Sequence, residues 1–123
     1  MRQMEKDHKI LSMKIKDIDR REARKILVKR LDELAKAHGF KYNRVFIRNQ
    51  KTSWGSCSLK NNINLNVKLV RLPERLTDYV IIHELVHTQI KSHNKKFYAE
   101  LERIVYDRKP LDKELKKYGV GLL

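Results

Sequence analysis

Apolar and polar positions along this chain repeat in two registers, and the changes of register predict its elements. Leu11, Met13 and Ile15 alternate with Ser12, Lys14 and Lys16, a weak strand signal after a polar, loose stretch over residues 1–9. Asp19 with Glu22 three positions on has the form of a capping box. Ala23, Ile26, Leu27, Leu31, Leu34 and Ala35 then recur at helical spacing, and Gly39 supplies a stop, which predicts a helix over roughly 20–38. Arg44 to Asn49 reads as a strand, and the seven residues Ile63 to Leu69 alternate without a break, so they read as another. Thr52 to Ser58 predicts a short strand between these two, with Lys60-Asn61-Asn62 as the turn that follows it. Pro73 suits the first turn of a helix over roughly 73–92, largely apolar and therefore buried. After His93-Asn94 a further helix over about 95–107 carries Phe97, Leu101, Ile104 and Val105 on one face. Pro110 opens a last amphipathic piece with Leu111, Leu115 and Tyr118, ending at Gly119.

This order predicts an α+β domain. A small sheet of about three strands is backed by a helix and by the apolar helix of residues 73–92. At 123 residues the chain has room for one core and not two, so residues 1–123 are read as a single domain. No apolar run approaches the ~20 residues that a bilayer requires, which predicts no membrane insertion and a cytoplasmic location. A single cysteine, Cys57, rules out an internal disulfide and is read as a small buried residue. The net charge of +14 admits nucleic-acid binding, but the basic residues are spread along the chain and no patch emerges. A lysine-rich solvated surface is therefore the favoured reading of the charge.

The chemistry concentrates in His83-Glu84-Leu85-Val86-His87, with His93 six residues further on. On a helix, residues four apart lie about 40° round from one another and one turn along, so His83 and His87 can face one cation. Glu84 sits beside the first ligand, placed to take a proton from water as general base. A catalytic zinc keeps one position open and takes three protein ligands, so a third is required. His93, just past the helix end, is the preferred third ligand, with Glu100 as rival. In a more modest role Glu100 hydrogen-bonds a ligand imidazole. Bound zinc brings the pKa of its water from about 15.7 to about 7, so this constellation predicts hydrolysis, with Tyr79, Tyr98 and Tyr106 as candidate oxyanion donors. Trp54, Gly55 and Ser56 are candidates for a strand edge that holds an extended peptide, with core packing as the alternative for Trp54.

From Ser53 to Leu115, about half of the chain, the sequence resembles the YgjP-like and SprT-like metal hydrolases of the zincin group, and most of all the minimal soluble minigluzincins. The residues that carry the resemblance are Trp54-Gly55-Ser56-Cys57, Ile63-Asn64-Leu65-Asn66, Tyr79-Val80 leading into His83 to His87, and His93 with Phe97. It implies one zinc held by His83, His87 and His93, Glu84 as base and acid, and a peptide or protein substrate. It also implies latency imposed by terminal segments. Residues 1–40 and 116–123 carry no family pattern, and the glycine that metzincins place between their second and third histidines is absent from Thr88 to Ser92.

The apolar end at Val120, Leu122 and Leu123 extends the amphipathic stretch, so residues 109–123 are read as an inhibitory tail over the cleft, in cis or exchanged within a homodimer. A zinc metallopeptidase is the leading reading. A nucleotide or phosphate-ester hydrolase comes second, although no glycine-rich phosphate cradle is present. A DNA-associated adaptor with a structural zinc comes third, and Glu84 argues against it.

Overall fold

The computed structural model describes residues 18–119, and the alternating stretch Leu11–Lys16, the loose residues 1–9 and the apolar end at Val120, Leu122 and Leu123 lie outside them. Helix α1 (Arg20–His38) begins where Asp19 accepts hydrogen bonds from the Arg21 and Glu22 amides, at 3.0 and 3.2 Å. It ends at Gly39, whose φ of 75° closes the last turn onto the Ala35 carbonyl in a conformation that costs glycine little. Ala23, Leu27, Leu31, Leu34 and Ala35 form its buried face, while Ile26, expected on that face, is exposed.

Three strands follow: β1 (Val45–Arg48), β2 (Gly55–Cys57) and β3 (Ile63–Asn66). They form one mixed sheet in the order β1-β3-β2, with β1 parallel and β2 antiparallel to the central strand. The Lys60-Asn61-Asn62 turn joins β2 to β3, with Asn61 at a φ of 64°. The expected strand over residues 63–69 stops at Asn66. The Asn66 side chain accepts from the Lys68 amide at 3.0 Å and donates to the Gln50 and Ser53 carbonyls, both at 2.9 Å. This diverts the backbone into a 3₁₀ helix over Val67–Arg71. Val67 and Leu69 still point inward, which is why the alternation looked like one continuous strand.

Helix α2 (Glu74–Val86) takes Pro73 as its N-cap and is buried almost all round from Leu76 onward. Thr77 donates to the Leu69 carbonyl at 2.7 Å and fastens its first turns to the 3₁₀ helix. Asp78 receives both arms of Arg30 from α1, at 2.8 and 2.7 Å. Against the expected end near residue 92, the helix stops at Val86 with His87 as its C-cap. Helix α3 (Lys95–Val105) starts on an Asn94 cap that accepts from the Phe97 amide at 3.0 Å. It also ends earlier than expected, at Tyr106, which has a φ of 70°. Helix α4 (Lys109–Lys116) carries proline in its first turn and inserts Leu115 into the core, followed by buried Tyr118. The core, centred on Trp54, Tyr79, Phe97, Leu27, Leu31 and Ile81, lies between sheet and helices. The result is the α+β architecture expected of the sequence, with α2 packed against β2.

Candidate metal centre

The early end of α2 shapes the site. His87 keeps helical backbone angles, but the chain then turns through Thr88, Gln89 and Ile90. His87 Nδ1 lies 2.9 Å from the Ile90 carbonyl oxygen. A carbonyl can only accept, so Nδ1 carries the proton and the Nε2 lone pair is left for another partner. That Nε2 lies 3.1 Å from His93 Nε2, because the same turn carries His93 back over the helix end. His83, one turn earlier on α2, completes the group. One nitrogen from each of the three rings lies within 4.8 Å of the others, and among the described residues no other group of this kind forms.

This donor set suits a cation. Two imidazole nitrogens bound to one tetrahedral zinc at 2.0–2.1 Å stand about 3.3 Å apart, close to the separation of His87 and His93. Desolvation, the main influence on each, pushes the His87 and His93 imidazoles below the ordinary histidine range and keeps them in the neutral, ligating form. His83 and His87 are buried and His93 is exposed, so the centre opens to solvent on the His93 side. Phe97 forms its floor. Its ring stacks on His87 at 4.3 Å between centroids and meets His83 and His93 edge-on at 4.9 and 5.0 Å.

Glu84 is 2% exposed and outside the ligand group. Its Oε2 lies 3.1 Å from His83 Nδ1, and its Oε1 makes no hydrogen bond among the described residues. On its other side the carboxylate packs against the backbone of β2. A Cβ on Gly55 would stand 3.1 Å from Glu84 Cγ and 3.0 Å from the Asn64 carbonyl oxygen, so a glycine is what admits the acid there.

Strand β2 is a sheet edge among the described residues. The Asn66 amide bonds the Trp54 carbonyl and the Ser58 amide bonds that of Asn62. By alternation along an antiparallel pair, Ser56 also faces β3, while Gly55 and Cys57 turn their backbone groups outward. The outward groups of Gly55 are engaged by Ser53, whose Oγ accepts from the Gly55 amide at 3.2 Å and donates to its carbonyl at 2.7 Å. Trp54 lies wholly within the core, as the alternative reading of it had it. Its Nε1 has no partner among the described residues. Cys57 is half-buried and burial pushes its thiol up, which suits an inert packing residue.

Three features escaped the reading of the sequence as parts of this site. Phe97 falls on an apolar face by its spacing, and the resemblance pairs it with His93 without giving it a role in the site. Ser53, two residues before Gly55, has the local form of a serine turn. Lys91 spans the site's rim, with Nζ donating to the Ser58 carbonyl at 2.8 Å and to Asn61, which ties the His93 loop to the β2–β3 turn. Glu100, the rival ligand, lies on α3 outside the histidine group and pairs with Arg103. Of the candidate oxyanion donors, Tyr79 donates to Asp112, Tyr98 lies under the Arg108 guanidinium at 4.1 Å, and Tyr106 is exposed.

No curated protein matches this sequence. Among solved structures, the metallopeptidase zymogen of Pyrococcus abyssi abylysin is similar, with a TM-score of 0.69 at 24% identity, over 79% of this chain and 99% of that one. The metallopeptidase zymogen of Methanocaldococcus jannaschii jannalysin is similar at a TM-score of 0.59 and 28% identity, over 73% of this chain and 89% of that one. These likenesses meet the minigluzincin resemblance and the minimal zincin fold expected from the motifs. The model of the YgjP-like metallopeptidase domain matches residues 2–118, nearly the whole sequence, and the chain belongs to that family.

Proposed function

We propose that this metallopeptidase is a zinc endopeptidase in which His83, His87 and His93 hold the ion and Glu84 moves the proton. The observation that carries the reading is the division of labour in the geometry. Three imidazoles converge within 4.8 Å, and the one buried carboxylate beside them stays outside the group. A zinc ion held there would supply a Lewis acid for the peptide carbonyl and acidify water to near neutrality. Glu84 Oε1, without a hydrogen bond among the described residues, takes the water's proton and delivers it to the leaving amine, while the His83 contact holds Oε2 still. A substrate laid along the outer edge of β2 pairs with Cys57 and, once it displaces Ser53 Oγ, with Gly55. This places its backbone beside Glu84, which packs against the same glycine.

Latency through residues 109–123 belongs to this proposal. Helix α4 docks one to two turns before His83 on α2, where Asp112 accepts from Tyr79 and Glu114 pairs with Arg75. The Tyr79 ring stands 6.5 Å from that of His83, so the docked segment borders the centre. The same surface would accept α4 from a second chain in an exchanged dimer. Abylysin and jannalysin, whose structures this chain resembles, are both metallopeptidase zymogens, which points the same way.

The ligands and the base are separable by experiment. His83→Ala, His87→Ala and His93→Ala are expected to lose stoichiometric zinc, measured by elemental analysis of dialysed protein. Glu84→Gln is expected to retain zinc and lose casein cleavage by at least roughly a hundredfold. Zinc retained at one per chain by His93→Ala would refute the three-histidine centre. Nucleoside triphosphates run beside casein separate the peptidase from a phosphate-ester hydrolase, and turnover of the triphosphate alone would overturn the peptidase reading.

A further inference from the structure

The fold gathers charge that the sequence disperses. Arg20, Arg21 and Arg24 on the first turns of α1 and Arg48 at the end of β1 line one cavity of about 260 Å³, floored by Ile47 and Val67. Among the described residues no carboxylate lines it. Arg30, Arg75, Arg103 and Arg108 each pair with a carboxylate, whereas the four cavity arginines have no acidic partner among the described residues. Arg20 and Arg24 are four apart and Arg21 and Arg24 three apart, so their like charges share one side of the helix and repel. Asp19, next to Arg20, is occupied with the helix amides, and Glu22, next to Arg21, does not line the cavity. Arg48 is held in place from two sides. Its Nε donates to Asn64 at 3.0 Å and its guanidinium lies 5.1 Å from the Phe46 ring centroid, which leaves the terminal nitrogens for a ligand. The cavity opens at the β1 edge of the sheet, and the histidine centre lies under the opposite edge, beside β2.

We propose that this cavity is a docking site for the phosphodiester backbone of single-stranded nucleic acid. A cluster of unneutralised guanidiniums suits phosphate oxygens, which arginine meets with paired N–H donors. The concavity takes one or two successive phosphates, and its apolar floor takes the sugar or base face between them. A duplex presents its phosphates on a convex ridge and calls for a protruding element instead. The site reads charge and chain geometry, not base sequence. It is separate from the proposed peptidase centre and does not depend on it.

The test titrates the full-length protein with a fluorescein-labelled mixed-sequence single-stranded oligodeoxynucleotide, by anisotropy, across a salt series. Arg21→Ala/Arg24→Ala/Arg48→Ala is compared with Lys113→Ala/Lys116→Ala/Lys117→Ala, which removes the same charge from the exposed surface of the C-terminal segment. The arginine triple is expected to weaken binding at least about tenfold and to lower the slope of log K against log salt by about two, while the lysine triple changes neither. Replacing the same three arginines with lysine keeps the charge and is expected to fall between wild type and the alanine triple, a result that unfolding would not produce. Equal losses in both alanine triples would show that the overall field of +14 binds, and would overturn the site. So would an undetectable wild-type complex, duplex binding as tight as single strand, or polyglutamate competing as well as the unlabelled oligonucleotide.

Discussion

A hydrogen atom in place of a side chain at residue 55 decides where Glu84 sits. Because a Cβ would stand 3.1 Å from Glu84 Cγ, Gly55→Ala has to push the carboxylate or the strand aside by a few tenths of an ångström. The expected outcome is a fall in kcat of roughly tenfold or more with zinc stoichiometry unchanged, and a stability loss of about 1–3 kcal/mol. Unaltered steady-state turnover by the variant would show that Glu84 tolerates the displacement and would detach the glycine from the catalytic geometry. The spacing of His83, Glu84 and His87 was legible in the sequence because helical periodicity alone puts four-apart residues on one side. The Nδ1 proton of His87 was not, since it depends on a carbonyl that only the early helix end brings within reach.

At the scale of elements, the early ends of β3 and α2 share a cause: polar side chains bond to nearby backbone and end a regular run. Asn66 cuts β3 short, His87 closes the end of α2, and Ser53 blocks part of the β2 edge. Hydrophobic periodicity records which side chains go inside, and it continues across such breaks because Val67 and Leu69 stay buried in either conformation. The edge strand yields a paired prediction. Proline at Cys57 removes a donor from the free edge, whereas proline at Ser56 removes one from the ladder to β3. Cys57→Pro is expected to weaken a peptide-like inhibitor by about tenfold with a small change in Tm, and Ser56→Pro to lower Tm sharply. Inhibitor constants and thermal melts measured on both variants decide the matter. Wild-type inhibition by Cys57→Pro would mean that substrate does not pair with β2.

For the molecule as a whole, the C-terminal helix contributes both to the core and to the surroundings of the centre. Leu115 and Tyr118 are buried, so removing the segment costs stability as well as any inhibition. Asp112 and Glu114 offer a gentler perturbation, because they hold α4 to Tyr79 and Arg75 of α2 without entering the core. Losing the partly buried, charge-assisted Tyr79–Asp112 bond, with a smaller share from the exposed Arg75–Glu114 pair, weakens docking by about 1.5–3 kcal/mol, which raises the undocked fraction by about tenfold or more. Asp112→Ala/Glu114→Ala is therefore expected to cleave casein about tenfold faster than wild type while keeping its zinc. A folded, zinc-loaded double variant no faster than wild type would reject latency through this helix. No helix of the described residues is long and apolar enough to cross a membrane.

The α+β order of elements, the burial of the motif helix and the convergence of His83 and His87 beside Glu84 were legible in the sequence. Each of these follows from local periodicity and from the chemistry of residues a few positions apart. Tertiary structure alone decided what depends on residues distant along the chain. It set Phe97 beneath three imidazoles, Gly55 against Glu84, Asp112 on the Tyr79 hydroxyl, and Arg48 beside the arginines of α1. The physical reason is that spacing constrains neighbours within a turn or two. Contacts across the sheet and between helices depend on where each element stops, and here those ends were set by single side-chain to backbone hydrogen bonds that leave no periodic trace.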